Sequence, residues 1–221
     1  ELAVIFDHGA REMLTRGEDV FYYVTVMNEN YPQPSLPDGV AADVVRGLYR
    51  LRAAAGPRPA VRLVGSGTIL REVLAAAERL RDEWQVDAEV WSATSFSELA
   101  REAQAIERSN RGRAPGDRAT SHVARCLGGE APVIAATDYV RAWPQLVAPY
   151  VPARFVALGT DGFGRSDTRV RLRRHFEVDA AAIVIAALDA LAVAGDYPVE
   201  SVRAAAERYG VELSREAPWR V

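Results

Sequence analysis

Two spacings of apolar residues alternate along most of this chain. Val61–Val64, Glu89–Trp91, Val133–Ala136 and Arg154–Leu158 are short runs rich in branched or small apolar side chains, and each reads as a strand. Between them, Thr68–Glu83 places Leu70, Val73, Leu74, Ala77 and Leu80 on one face of a helix, and Ser97–Arg108 repeats the helical period. Strands separated by helical stretches predict a parallel sheet built from right-handed crossovers, which is an α/β fold. Ala180–Ala194 is apolar nearly all round and predicts a buried helix, while the more polar Val199–Tyr209 predicts a closing helix.

The first forty residues follow another rhythm. Glu1–Leu14 has helical spacing that Gly17 should end, and the β-branched and aromatic run Val20–Val26 predicts a strand. Residues 28–39 hold three prolines and a glycine, which disfavour helix interiors and sheet ladders and predict a linker. A lone helix and strand have no sheet of their own in which to hide their apolar faces. Residues 1–39 are therefore expected to be the tail of an earlier domain plus a linker, and residues 40–221 one α/β domain.

Composition narrows the function classes. The chain has 221 residues, 49% of them hydrophobic, with a net charge of −3, so no global field attracts nucleic acid or an anionic membrane. Every basic residue other than histidine is arginine, which together with the many alanines points to GC-rich coding. Cys126 is the single cysteine, excluding an intrachain disulfide and a cysteine-built metal site. No signal-like start is seen and no apolar run reaches the roughly 18 residues needed to span a bilayer, so a cytoplasmic protein is expected.

Several motifs invite chemistry. Gly65-Ser66-Gly67 joins a strand to a helix as a phosphate-binding turn would, but Leu70 stands where a third glycine belongs and no acidic residue ends the next strand, which favours a structural turn. Ser66 also lacks the Gly-x-Ser-x-Gly frame of a nucleophile elbow. Asp161 and Asp167 flank Gly-Phe-Gly-Arg-Ser, yet Phe163 and Arg165 occupy positions where a calcium loop needs oxygens; the aspartates are expected to bond loop amides or pair with Arg165 and Arg169. His122 and Cys126 could share a helical face, without a third orienting group. His8 and His175 lack metal-ligating partners. Arg108, Arg111, Arg113 and Arg118, and the five arginines between 165 and 174, are expected to be solvated or ion-paired, with contact to phosphates or an acidic partner as the alternative.

The segment Leu158-Gly-Thr-Asp-Gly-Phe-Gly-Arg-Ser-Asp-Thr-Arg169, followed by Leu172-Arg-Arg-His-Phe-Glu-Val-Asp179, concentrates three glycines in a strand-to-helix turn, with Ser166 or Asp167 as the expected cap. Together with Asn28-Glu-Asn-Tyr31, Leu63-Val-Gly-Ser-Gly67, Thr94-Ser-Phe-Ser-Glu-Leu99, Glu107-Arg108, Ala136-Thr-Asp-Tyr139 and Tyr150-Val-Pro152, it resembles, in order and over nearly the whole chain, the homodimeric first component of the bacterial pyruvate dehydrogenase complex, of the transketolase superfamily. Arg111–Ala119 departs from that family's pattern.

The resemblance implies a transketolase C-terminal-like three-layer domain with a mainly parallel sheet, preceded by a helix-strand remnant of the thiamine pyrimidine-binding domain. It implies a parent enzyme that decarboxylates pyruvate on thiamine diphosphate with Mg2+ and acetylates lipoyl groups on a dihydrolipoyl acetyltransferase core, as a homodimer. Neither a Gly-Asp-Gly…Asn diphosphate motif nor an activating glutamate is found here, so no catalytic, cofactor or metal residue is assigned to this chain and no activity is expected of it alone. Asp161, Phe163, Arg165, Asp167 and His175 are the loop or interface candidates, and the expected role is structural, in dimerisation and in shaping the active-site channel. A transketolase-type C-terminal domain and a nucleotide-sensing or interaction module of the same fold remain the alternatives.

Overall fold

The computed structural model describes residues 1–56 and 60–220. Its centre is a five-stranded sheet formed by β1 (Leu48–Arg52), β2 (Val61–Gly65), β3 (Ala88–Ala93), β4 (Val133–Ala136) and β5 (Phe155–Leu158), in the order β1-β3-β2-β4-β5. β2 to β5 are mutually parallel, as the alternating pattern predicts. The antiparallel edge strand β1, which pairs Leu48 with Ala93 and Arg50 with Trp91, adds a fifth to the four expected from the sequence.

Alternating side chains feed two cores, one on each face of the sheet. On one face Val61, Leu63, Val90 and Ile134 meet α3 (Leu70–Trp84) and α8 (Ala180–Ala194), with α9 (Glu200–Tyr209) outside α8. On the other, Leu48, Val64, Val133 and Ala135 meet α4 (Phe96–Ser109) and α5 (His122–Cys126). The chain leaves β2 through α3 toward β3, then returns through α4 and α5 to β4 on the opposite side of β2. The strand order therefore reverses between β2 and β4, and a crevice opens outside their carboxyl ends.

One charge is buried in the sheet. Glu89 of β3, 6% exposed, accepts from Arg50 Nη1 of β1 at 3.0 Å, Arg62 Nε of β2 at 3.1 Å and Trp91 Nε1 at 3.0 Å, so its carboxylate ties three adjacent strands together.

The first forty residues correct part of the expected pattern. α1 (Leu2–Ala10) continues into a π turn at Arg11–Thr15, and Gly17, at φ 68°, follows it. Val20–Val26 is not a strand: it pairs with no ladder, and Phe21, Tyr23 and Val26 are 88%, 87% and 70% exposed. Branched and aromatic residues favour a pleated surface only where neighbouring strands supply partners. The next segment is fastened by charge. Glu29 reaches Arg71 at 3.1 Å, Arg173 at 3.3 Å and Arg169 at 3.6 Å, Arg169 donates to the Asn28 side-chain oxygen at 2.6 Å, and the Arg71 guanidinium lies 4.7 Å from the Tyr31 ring centre.

Candidate functional site

The crevice at the reversal point is built from three short connections. After β2, Gly65 lets the start of α3 come close, since a Cβ there would stand 2.7 Å from the Leu70 Cα; this is the structural turn expected of Gly65-Ser66-Gly67. A 3-10 turn at Gly67–Ile69 then leads into α3, and the Gly67 and Thr68 amides take no backbone acceptor among the described residues. After β4 comes Thr137-Asp138-Tyr139, with the buried Thr137 hydroxyl accepting from the Tyr139 amide at 3.2 Å. After β5 the glycine-rich loop is stitched to that second connection: the Thr160 amide and hydroxyl donate to the carbonyls of Tyr139 and Asp138 at 2.9 and 2.6 Å.

These connections and the helix α7 (Arg169–His175) enclose a cavity of about 400 Å3 lined by Thr68, Asp138, Arg165, Arg169, Arg173 and Phe176, among others. Arg169 and Arg173 are paired with Glu29, and Arg173 also with Glu72 at 3.1 Å, whereas Arg165 has no carboxylate partner among the described residues. Asp138 lies at the turn after β2, its Oδ1 3.7 Å from where a Gly67 Cβ would stand. Desolvation pushes its carboxyl above the usual aspartate value, and its own amide, Arg173 and the nearby Thr68 hydroxyl only partly oppose this. The Thr68 hydroxyl is buried beside the Asp138 carboxyl.

The sequence-derived candidates divide. Arg165 lines the cavity. Asp161 is half-buried and turned to Arg141, accepting from its backbone amide at 2.9 Å and from its Nε, while Arg141 stacks over Trp219 at 4.2 Å. Gly162, at φ 92°, leaves no room for a side chain beside Trp219, whose Cα is 2.8 Å from an added Cβ. Phe163 projects into solvent, 93% exposed. Asp167 accepts from the Thr168 amide at 2.7 Å and approaches Arg171 at 3.8 Å. The aspartates thus bond loop amides as expected, but their ionic partners are Arg141 and Arg171, not Arg165 and Arg169. The cap of α7 is Thr168, whose hydroxyl accepts from the Arg171 amide, not Ser166 or Asp167. Thr168, at φ −64° and ψ 149°, has the extended backbone of a cap immediately before the first helical residue.

His175 is outside the cavity lining; its ring packs edge-on to Phe176 at 4.9 Å, and burial together with Arg165 and Arg215 lowers its pKa. Across the sheet, Cys126 Sγ is 3.6 Å from His122 Nε2, but that nitrogen is 2.8 Å from the Leu48 carbonyl and must donate to it. The thiol is pushed up to about 11 by burial and by Asp43, so it is not an activated nucleophile. Thr68 and Asp138 were missed by sequence reasoning, while Arg173 is one of the five arginines expected to be solvated or ion-paired; the usable signal for the first two was their position just beyond strands β2 and β4.

Comparison with known proteins locates the chain. The family description "Transketolase-like TK C-terminal domain" matches residues 47–179. The pyruvate dehydrogenase E1 component of Cupriavidus necator is 47% identical over all of this chain and 25% of that protein, and the Escherichia coli K12 protein of the same name is 41% identical over 99% of this chain and 25% of its own. The chain thus spans about a quarter of the length of these relatives. A transketolase structure from Pichia stipitis superposes over 76% of this chain and 21% of that one, with a TM-score of 0.51 at 15% identity, which concerns the fold alone. The sheet order, the two cores and the match over residues 47–179 lead to one statement of kinship: the chain belongs to the transketolase-like C-terminal domain family.

Proposed function

We propose that this chain is the C-terminal part of a pyruvate dehydrogenase E1 component, whose whole polypeptide decarboxylates pyruvate oxidatively on thiamine diphosphate and acetylates lipoyl groups of an acetyltransferase core, as a cytoplasmic homodimer. The single observation carrying this reading is 37–47% identity to proteins of that name across almost the entire chain. In it, residues 1–39 are the end of the pyrimidine-binding domain and its linker, residues 40–221 are the C-terminal domain, and Asp161, Phe163, Arg165, Asp167 and His175 form or support a loop facing the channel or a subunit surface. The exposed Phe6, Leu14, Phe21 and Tyr23 support the first assignment, because such side chains ordinarily lie against other protein.

The donor chemistry does not fit the cofactor. Magnesium diphosphate needs a set of oxygen ligands, and among the described residues no group of three or more His, Cys, Asp or Glu side chains converges. The candidate crevice offers one carboxylate, Asp138, facing arginines. No catalytic step is therefore derived through thiamine diphosphate in this chain; its own residues fix the sheet, the strap at Asn28–Tyr31 and the shape of the loop.

A chimera tests the proposal: this chain substituted for the matching quarter of the Cupriavidus necator protein should support acetylation of lipoyl groups from pyruvate, while the chain alone should neither turn over pyruvate nor bind thiamine diphosphate in calorimetry. Turnover by the isolated chain, or a folded chimera without activity, overturns it.

A further inference from the structure

A positive stretch stands out on the face of the sheet covered by α4 and α5, away from the crevice. Between residues 107 and 121 the chain carries four arginines, Arg108, Arg111, Arg113 and Arg118, and two acidic residues, Glu107 and Asp117, although the whole chain has a net charge of −3. Elsewhere arginines are mostly matched with carboxylates, as Arg62 is with Glu89, Arg141 with Asp161, and Arg173 with Glu29 and Glu72. These four are exposed, and among the described residues none has a carboxylate oxygen within 4.0 Å.

The cations are displayed on a loop that is tied internally. The Asn110 side chain clamps its far end, donating from Nδ2 to the Ala119 carbonyl at 2.8 Å and accepting from the Ala119 amide at 2.9 Å. Within the loop the Arg113 amide donates to the Asn110 carbonyl at 3.1 Å, the Asp117 amide to the Ala114 carbonyl at 2.9 Å, and Arg118 Nε to the Arg113 carbonyl at 3.4 Å. A loop fixed in advance loses little entropy on binding, so its charges meet a partner at low cost.

At the foot of the loop lies a cavity of about 500 Å3 that shares no lining residue with the crevice. Ile106, Ala124, Pro149 and Tyr150 supply apolar surface, and Arg111 and Arg118 stand on its wall. Guanidinium groups pair carboxylates through two parallel hydrogen bonds. The same wall carries Glu107, which Tyr150 Oη approaches at 3.4 Å, and that carboxylate opposes a continuous row of phosphates.

We propose that this surface docks an extended acidic segment of a partner protein, with an apolar side chain seated in the cavity against Ile106 and Tyr150 and the flanking carboxylates on Arg111 and Arg118. Arg108 and Arg113 extend the positive field and speed the encounter more than they add contact energy. The unpaired cations demand carboxylates, the cavity demands an apolar group between them, and Glu107 sets this partner apart from a nucleic acid.

Fluorescence anisotropy of labelled probes titrated with the intact chain tests this. The probes are the peptide Glu-Glu-Leu-Glu-Glu, the same peptide with Gln for every Glu, the same peptide with Ser for Leu, and a single-stranded oligothymidylate. Saturable binding of the first is expected, weakening steeply between about 0.02 and 0.3 M salt as exposed ion pairs are screened. The Gln and Ser peptides should bind at least severalfold more weakly. Arg111→Ala and Arg118→Ala should each weaken the acidic peptide about threefold to fivefold, in keeping with exposed ion pairs, and the double variant about tenfold or more. Arg203→Ala removes the same charge from an exposed arginine of α9 that likewise has no carboxylate partner among the described residues, and should leave the affinity unchanged. All three arginines are exposed, so an unaltered unfolding midpoint in each variant separates a lost contact from a lost fold. Absence of binding at millimolar peptide, equal losses in Arg203→Ala and Arg111→Ala, equal affinity for the Leu and Ser peptides, or tighter binding of the oligonucleotide would each overturn the proposal.

Discussion

A carboxylate in the middle of a sheet is expensive to desolvate, and a buried ion pair offsets that cost only when its geometry is good and its remaining lone pairs are used. Glu89 meets that condition by spreading three accepted hydrogen bonds over both oxygens, from Arg50, Arg62 and Trp91. The arrangement has no slack: Arg62, only 13% exposed at its side chain, already has Nη1 without a partner among the described residues. Glu89→Ala should therefore lower the free energy of unfolding by about 3–5 kcal/mol, because it strands two arginines at once, one of them nearly buried. Glu89→Gln, which keeps an acceptor, should cost clearly less. Urea titration checks both, and equal losses for the two variants would mean that shape rather than charge holds this point of the sheet.

At the scale of elements, legibility followed whether an element's stability is local. α3, α4 and α8 could be read directly because their apolar stripes or caps are written within the segment; Ser95 caps α4 by accepting from the Glu98 amide, and Asp179 caps α8 through the Ala182 amide. The four parallel strands were legible because each is dominated by apolar residues, β2, β3 and β4 being buried on both faces and the edge strand β5 half-buried throughout. β1 was not, since Leu-Tyr-Arg-Leu-Arg carries two arginines suited to an edge and derives its order from pairing with a strand forty residues later. Val20–Val26 failed in the opposite sense, having strand-forming residues without partner strands. The candidate site was half legible: the glycine-rich loop announced itself, while Thr68, Asp138 and Arg173 converge only through topology.

The strap at Asn28–Tyr31 is likewise a long-range feature, and it carries a pH prediction. Burial works against ionisation of Glu29, but the hydrogen bond from Arg71 and the charges of Arg173 and Arg169 outweigh it, so its pKa is held below the ordinary 4.5. A depressed carboxyl pKa contributes attachment that is complete above the ordinary value and is lost as pH falls through the lowered one. Tyr31 ring resonances should therefore hold their positions down to the ordinary carboxyl value and move toward random-coil positions only as pH falls below it, and Glu29→Gln should show the same shift at neutral pH. A Tyr31 signal insensitive to both would place the hold on the strap elsewhere.

Taken as a whole, the molecule is a well-buried sheet domain with an apolar surface concentrated in its first 27 residues, where Leu2, Phe6, Met13, Leu14, Phe21, Tyr23 and Val26 are exposed. The segment is held to the domain by α1 packing against the short helix Ala41–Val45 and by a few hydrogen bonds. The Glu1 carboxylate accepts from Tyr49 Oη at 2.7 Å and from Ser92 Oγ at 2.6 Å, and Tyr22 covers Gly9 within the segment itself. Exposed apolar area of this kind drives self-association, whereas the two cores draw none of their buried residues from it. Removing residues 1–26 while keeping Met27 and the Asn28–Tyr31 strap should then have opposite effects on two properties. Stability should fall by only about 2–4 kcal/mol, from the two hydrogen bonds lost with Glu1 and the packing of α1 on Ala41–Val45. Binding of a hydrophobic dye and concentration-dependent association should drop sharply. A loss of cooperative unfolding in the shortened chain would mean that α1 (Leu2–Ala10) is integral to the domain, and would contradict the assignment of residues 1–39 to a neighbouring one.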